Sequence, residues 1–258
     1  MKIVVLVKEV PDTYGDRKLD LETGLAQRAA SERVIDEIGE RALEVALSHA
    51  DANAGTEVVV LSMAPEEAQA SVRKALAMGA ASAVQVVDPA LAGADLGVTA
   101  KVLAAAVQRA GFDLVITGNL STDGSGGVIP AMIAERLGVP QATALSAVTI
   151  TDTTVSGTRA TDAGTAQVSA PLPAVISITE ALPDARFPNF KGIMAAKKKP
   201  LEVVTLADLG IDVDPASAPQ TILTAVGAKP PRGAGVKITD EGDAGEQLAA
   251  FLIENRLA

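Results

Sequence analysis

The sequence predicts an α/β fold: a mostly parallel, doubly wound sheet with β-hairpin additions and an extended C-terminal arm plus a helix. Three observations predict it. Short apolar runs alternate with segments of helical periodicity through residue 137. The 258 residues are 48% hydrophobic yet contain only five aromatic side chains, so the core must be aliphatic. Prolines and glycines are frequent between residues 210 and 235, which is typical of an extended arm.

The first half of the chain repeats a strand and a helix four times. Continuous apolar runs, typical of strands buried on both faces, predict strands at 3–7, 57–62, 83–87 and 113–117. Apolar residues at helical spacing predict helices at 36–50, 65–78, 96–109 and 128–137. Gly79 and Gly111 are expected to end the second and third helices. The repeat predicts a parallel sheet with right-handed crossovers.

The second half is expected to finish the sheet and then leave it. Turn-punctuated, β-rich segments predict hairpin strands at 142–150, 153–159, 165–169 and 174–178. A proline-rich stretch, a short helix, the arm and an amphipathic helix are then predicted at 182–191, 192–199, 210–235 and 246–257. We therefore expect an α/β domain over 1–200 and an arm with its helix over 201–258. The arm either packs on a partner subunit or is a disordered linker.

Composition excludes several classes of function. A net charge of −10 with few aromatic residues argues against a nucleic-acid binder that stacks bases. Without Cys and with His49 as the only histidine, we expect neither catalytic residues nor a metal site. The apolar first strand is too short to span a membrane and lacks a cleavage site, which predicts a cytoplasmic protein without membrane insertion.

The strongest candidate site is the loop at 118–127, between the fourth strand and its helix. Ligands of open α/β sheets bind beyond the carboxyl ends of the strands. The glycines permit close approach, the amides at 125–128 would present a helix N-terminus to an anion, and hydroxyls come from Ser121, Thr122 and Ser125. The loop is neither a Walker loop nor a GxGxxG fingerprint, which disfavours an NAD-dependent dehydrogenase. It predicts phosphate binding, with an ordinary flexible connection as the alternative.

Two further segments are expected beside this loop. Residues 7–12 end the first strand, where Lys8 is interpreted as a structural charge and the backbone at Leu6 can contact a flat ring. Met63, at the end of the second strand, would form a third wall of the crevice. The paired acids Asp36 and Glu37 begin a helix, so we interpret them as capping residues rather than as catalytic acids.

These segments together resemble the electron transfer flavoprotein β-subunit family, over essentially the whole chain. The resemblance rests on residues 7–12, 35–47 and 73–80 and, most specifically, on the run from Leu-Pro-Ala-Val-Ile-Ser at 172–177 to Gly-Ile-Met-Ala-Ala-Lys-Lys-Lys-Pro at 192–200. Two positions depart from the family pattern. Asp-Glu-Ile at 36–38 replaces the common Asn-Pro-aromatic sequence, and Gly-Ser-Gly-Gly at 124–127 replaces an acidic string.

The resemblance implies a heterodimer in which an α subunit holds most of a shared FAD. The β subunit would bind AMP, or a second FAD in bifurcating members. The implied nucleotide contacts are Leu6, Asp36, Glu37, Ile38, Gly39, Met63, Ser121, Thr122, Asp123, Gly124, Ser125, Gly126, Gly127 and Val128. Thr13, Tyr14 and Ile38 would lie near the FAD.

The resemblance also implies a loop at 184–194 that docks acyl-CoA dehydrogenases and similar flavin dehydrogenases. The implied docking residues are Arg186, Phe187, Asn189, Phe190, Ile193 and Met194. Phe190 aligns with the hydrophobic anchor, which is usually leucine; alternatively, Phe187 and Phe190 pin the loop to the body of the protein. The expected function is a non-enzymatic electron carrier between fatty-acid-oxidising dehydrogenases and the respiratory chain. The alternatives are a bifurcating β subunit and a stand-alone ATP-binding stress-type α/β protein.

Overall fold

The computed structural model describes residues 1–15, 17–212 and 219–257. Met1–Thr224 forms one compact unit and Ala225–Ala258 a second. The strands are β1 (Lys2–Leu6), β2 (Glu9–Pro11), β3 (Arg33–Ile35), β4 (Glu57–Met63), β5 (Ser82–Val86), β6 (Leu114–Gly118), β7 (Gln141–Ile150), β8 (Thr154–Thr161), β9 (Gly164–Pro171), β10 (Ala174–Ile178) and β11 (Leu201–Val204). The helices are α1 (Glu37–Ala52), α2 (Gln69–Met78), α3 (Leu96–Ala110), α4 (Ile129–Leu137), α5 (Phe190–Ala196) and α6 (Ala244–Glu254).

The predicted strand–helix repeat forms the centre of the fold. Within the described residues, nine strands make one sheet in the order β11-β5-β4-β1-β6-β10-β7-β8-β9, while β2 and β3 form a small antiparallel pair. From β1 the chain moves to β4 and β5 on one side and then returns to β6 on the other, always in parallel pairing. The strand order therefore reverses at β1, and a crevice opens at the carboxyl ends of such strands.

The sheet separates two aliphatic layers. The core on one face packs under α1, α2 and α5, and the core on the other face packs under α3 and α4. Among the described residues, every buried hydrophobic side chain is Ala, Val, Ile, Leu or Met, which confirms the prediction of a core without aromatics. Phe112 packs against the second layer from a partly buried position.

Strand β10 corrects the prediction of a run of hairpins. β7, β8 and β9 do pair antiparallel, but β10 lies between β6 and β7 and is parallel to both. All five of its residues are buried, as expected for an inner strand covered on both faces. The register of β10 and β7 shifts at a bulge, where Ala144 has a φ of 56° and donates its N–H to Ser177 Oγ at 2.8 Å.

The chain after residue 200 first returns to the sheet. Leu201–Val204 is the edge strand β11, parallel to β5, although the sequence placed these residues in the arm. Residues 213–218 of the predicted arm lie outside the described residues. The second unit contains α6, whose Leu248, Phe251 and Ile253 are exposed. The packing of residues 201–258 on a partner subunit stays a prediction.

Membrane insertion gains no support from the helices. None of the described helices is long and apolar enough to cross a membrane. The cytoplasmic location stays a prediction of the sequence.

Candidate functional site

Three parallel strands end side by side at the carboxyl edge of the sheet. β4 ends at Met63, β1 at Leu6 and β6 at Gly118, in that spatial order. The start of α1 lies close over the end of β6, because a Cβ added to Gly118 would lie 2.9 Å from Ile38 Cγ2 and 3.2 Å from Ile38 Cβ. Glycine at 118 thus permits the first turn of α1 to approach the loop that follows β6.

Asp36 ties this first turn to the loop after β6. The residue is only 3% exposed. Its Oδ1 accepts a hydrogen bond from the Ile38 N–H at 3.1 Å, and its Oδ2 accepts two, from the Thr122 N–H at 2.7 Å and Oγ1 at 2.9 Å. Its own N–H donates to the Lys8 carbonyl at 2.9 Å. The predicted capping role is confirmed, and the same carboxylate also fixes the loop.

Asp123, the next loop residue, is held by two basic side chains. Lys8 Nζ donates to its Oδ1 at 2.7 Å and Arg28 Nη2 donates to its Oδ2 at 3.0 Å. Lys8 also donates to Ser121 Oγ at 3.2 Å. Burial raises the pKa of the Asp123 carboxyl, but the hydrogen bond and charge of Lys8, with Ser121 and the Arg28 charge, outweigh burial and lower that pKa to about 2. Asp123 is therefore ionised throughout the physiological range.

The loop then leads into α4 through residues 124–128, which are exposed to solvent. Ser125 and Gly127 have positive φ angles of 49° and 67°. The N-cap residue of α4, Val128, makes no side-chain capping hydrogen bond to any described residue. Amides in the first turn of an uncapped helix bind anions well, because their N–H groups have no intrahelical acceptor. The Ser125 N–H, however, already donates to the Ser121 carbonyl at 2.8 Å, and Pro130 in the first turn has no N–H. Of the amides predicted to face an anion, those at 126–128 are therefore the ones left to do so.

The predicted nucleotide residues come together at this one edge. Leu6 and Met63 end β1 and β4, residues 36–39 begin α1, and residues 121–128 form the loop. The hydrogen bonds at 121–123 favour an ordered loop over an ordinary flexible connection in this part. Thr13 and Tyr14 lie in a turn after β2, where Tyr14 is 97% exposed. The side chain of Ile38 is instead buried in the core.

Arginines at this edge were missed by sequence reasoning. Arg28 pairs with Asp123 across 95 positions, and Arg17 donates to the Thr122 carbonyl. Both arginines come from the segment 17–30, which shows no periodicity that would single them out. Lys8 was expected beside the loop, and its contacts with Ser121 and Asp123 confirm that placement.

The predicted docking loop presents apolar side chains to solvent. Phe187 is 92% exposed and Phe190 80% exposed, so the alternative that they pin the loop to the body is wrong. Exposed side chains continue along α5 at Ile193 and Met194. Asn189 has a structural task, because its Oδ1 accepts a hydrogen bond from the Gly192 N–H at 2.8 Å and caps α5.

Fold and site define a doubly wound α/β protein with a hydrogen-bonded loop between β6 and α4 at the switch point of its sheet. A family profile, Electron transfer flavoprotein domain, matches residues 23–209. Electron transfer flavoprotein subunit beta of Mycobacterium leprae is 46% identical over 99% of this chain and 98% of its own. The Caffeyl-CoA reductase-Etf complex subunit CarD of Acetobacterium woodii is 32% identical over 98% of this chain and 97% of its own. Electron transfer flavoprotein subunit beta of Bacillus subtilis is 32% identical over 84% of this chain and 83% of its own. The chain belongs to the electron transfer flavoprotein family, among its β subunits.

Replacing Asp123 tests how the loop is held. We expect Asp123→Asn to lower the free energy of unfolding by about 1–2 kcal/mol at neutral pH, because Lys8 and Arg28 lose their counter-charge. The folded-state pKa lies below the ordinary 3.8, so this stabilisation is present above about pH 5 and lost as the pH falls toward 2. The difference between wild type and variant should thus fall to roughly half near pH 3.

Urea unfolding of the protein assembled with its partner subunit, followed by circular dichroism, measures this difference. Asp162→Asn removes an exposed carboxylate in the turn between β8 and β9 and is the matched control. It should leave the free energy of unfolding unchanged both at neutral pH and near pH 3. A stability loss in Asp123→Asn that is equal at neutral pH and near pH 3 would contradict the ion-pair account.

Proposed function

We propose that this chain is the β subunit of a heterodimeric electron transfer flavoprotein that binds AMP in the crevice at the ends of β1, β4 and β6. It lies beside an FAD held mainly by the α subunit and helps pass electrons from acyl-CoA and related flavin dehydrogenases toward the respiratory chain. The observation that carries the proposal is the anchored loop at 121–128, built by Asp36, Lys8 and Arg28, in a chain whose relatives are β subunits of this family.

The AMP phosphate is assigned to the loop and to the start of α4. Lys8 and Arg28 both pair with Asp123 and leave one positive charge in excess, and the amides at 126–128 supply donors. Gly-Ser-Gly-Gly at 124–127 leaves this stretch without acidic side chains, so it does not repel a phosphate. The adenine ring is assigned to the backbone at Leu6 and to Met63, at the strand ends where flat groups can lie against the sheet edge.

The FAD and the α subunit are assigned to surfaces that this chain leaves exposed. Thr13 and Tyr14 project from the turn after β2 and would contact the flavin side. When bound, FAD supplies the electron-carrying chemistry, and the residues of this chain position it. The apolar side chains of α6 in the second unit, including Leu248 and Ile253, suit burial against another subunit.

The dehydrogenases are assigned to the docking loop, residues 184–194. Phe187 and Phe190 are exposed aromatic side chains next to prolines, and Ile193 and Met194 extend the apolar surface. Aromatic anchors contribute strongly to protein interfaces because they bury a large area and have few rotatable bonds. Arg186 and Asn189 contribute by holding the loop and starting α5 rather than by exposed apolar area.

The second candidate is a β subunit with FAD in place of AMP, as in bifurcating members. It is favoured by one relative, 32% identical over 98% of this chain, that is a subunit of a caffeyl-CoA reductase–Etf complex. The two candidates differ in the ligand of the β crevice.

The nucleotide content of the purified heterodimer separates these candidates. We expect one AMP and one FAD for each heterodimer, because the β crevice takes AMP and the α subunit takes the flavin. Acid extraction followed by chromatography and mass spectrometry identifies the nucleotides, and flavin absorbance counts the FAD independently. Two FAD with no AMP would favour the bifurcating candidate, and FAD alone at one for each heterodimer would contradict a nucleotide in the β crevice.

Phe190 tests the docking assignment. We expect Phe190→Ala to raise the KM of an acyl-CoA dehydrogenase assay for this protein by about 30-fold, a change typical of a lost aromatic anchor. The kcat at saturation should be retained, because the flavin site is untouched. Phe190→Leu restores the side chain usual in the family and serves as the conservative control. An unchanged KM in Phe190→Ala would refute the docking assignment.

A further inference from the structure

The docking loop is attached to α1 by an unusually complete set of contacts from Arg186. The Arg186 N–H and Nε donate to Glu44 Oε2 at 3.0 and 2.8 Å, and Nη2 donates to Glu44 Oε1 at 2.8 Å. Its Nη1 lies 2.9 Å from Asp51 Oδ2. A guanidinium paired with both oxygens of one carboxylate is fixed in orientation as well as in position.

A second arginine, Arg41 of α1, holds the beginning of the same loop. Arg41 donates to the Leu182 carbonyl through Nη1 and to Asp184 through Nη2. Arg41, Glu44 and Asp51 stand three and seven positions apart on α1, so they lie along one face of the helix. The loop is thus bonded to this one helix face at two points along its length.

Glu44 and Arg186 stabilise each other's charged forms. Burial raises the pKa of the Glu44 carboxyl, but hydrogen bonds from Arg186 and from Ser48 Oγ, together with the Arg186 charge, outweigh it and lower that pKa. The pKa of the Arg186 guanidinium is raised, first by its hydrogen bonds to Glu44 and then by its bond to Asp51. Burial acts in the opposite direction but is outweighed. Glu44 and Arg186 therefore stay ionised at neutral pH, and the contacts persist there.

Apart from these bonds, the segment between β10 and α5 is held where Leu182 is buried in the core and Ala185 packs against it. Between β10 and α5 the described residues form neither helix nor strand. Phe187 and Phe190, at 92% and 80% exposure, do not bury area against the body. A loop that must first be ordered by its partner binds more weakly, because the ordering entropy is lost on docking.

We propose that Arg186 with Glu44 and Asp51, assisted by Arg41, forms a clamp that presents Phe187 and Phe190 in the docking-competent arrangement before a dehydrogenase arrives. These four are positioning residues. The inference rests on the proposed function of the loop, and it adds that docking affinity depends on the ion pairs between Arg186 of the loop and Glu44 and Asp51 of α1.

The test compares Arg186→Gln with Arg109→Gln in the assembled heterodimer. Arg109 forms an exposed pair with Glu202 on α3 and β11, so its replacement removes the same charge away from the docking loop. An acyl-CoA dehydrogenase reduced with octanoyl-CoA is the electron donor, and hydrogen–deuterium exchange reports the order of residues 182–190. We expect Arg186→Gln to raise the KM about tenfold with kcat retained, and to accelerate exchange in the loop. Arg109→Gln should change neither.

Two further variants separate the possible failures. Arg186→Lys keeps the charge but cannot bond to both Glu44 oxygens and Asp51 together, so an intermediate KM is expected. If Phe190→Ala raises the KM while Arg186→Gln does not, the clamp is refuted and the docking loop stands. If neither variant changes the KM, the docking function of the loop fails and the clamp fails with it. Faster exchange in Arg186→Gln with an unchanged KM also refutes the clamp as a docking device.

Discussion

The buried carboxylate of Asp36 connects the parts of the molecule on which the candidate site depends. It joins the start of α1, the loop after β6 and, through its backbone, the segment after β1. A buried charge is tolerated only when its oxygens are fully hydrogen-bonded, and here three donors provide this. With Thr122 fixed in this way, Asp123 is placed where Lys8 and Arg28 reach it. The crevice is therefore a consequence of the parallel sheet and of one satisfied carboxylate.

Helix α1 serves both proposed surfaces. Its first turn, with Asp36 as N-cap, forms one wall of the nucleotide crevice. Its outer face carries Arg41, Glu44 and Asp51, which hold the docking loop. A helix packed on the sheet thus sets the positions of both the loop at 121–123 and the loop at 184–194. The chain carries a net charge of −10. Basic side chains nevertheless occur both at the loop after β6 and at the docking loop, because each pairs with a specific carboxylate.

Local sequence patterns predicted the elements and not the contacts between them. Apolar runs located the first four inner strands, and Asp36 was recognisable as a cap because capping is a local interaction. β10 was assigned to a hairpin although its all-buried composition matches an inner strand, and the edge strand β11 was assigned to the arm. The bonds from Asp36 to Thr122 and from Glu44 to Arg186 span 86 and 142 positions. Side-chain pairs at such separations leave no periodic trace in one sequence.

Titration of AMP into heterodimer that retains FAD but has been freed of AMP, wild type and Asp36→Asn, tests most directly whether this carboxylate builds the site. In the variant an amide N–H₂ replaces one acceptor, so either the Ile38 N–H or the donors of Thr122 lose their acceptor, and the connection between α1 and the loop at 121–123 is broken. We predict an AMP dissociation constant at least about tenfold higher than in wild type, with the FAD content unchanged. Equal AMP affinity in the two proteins, at equal FAD content, would contradict the account.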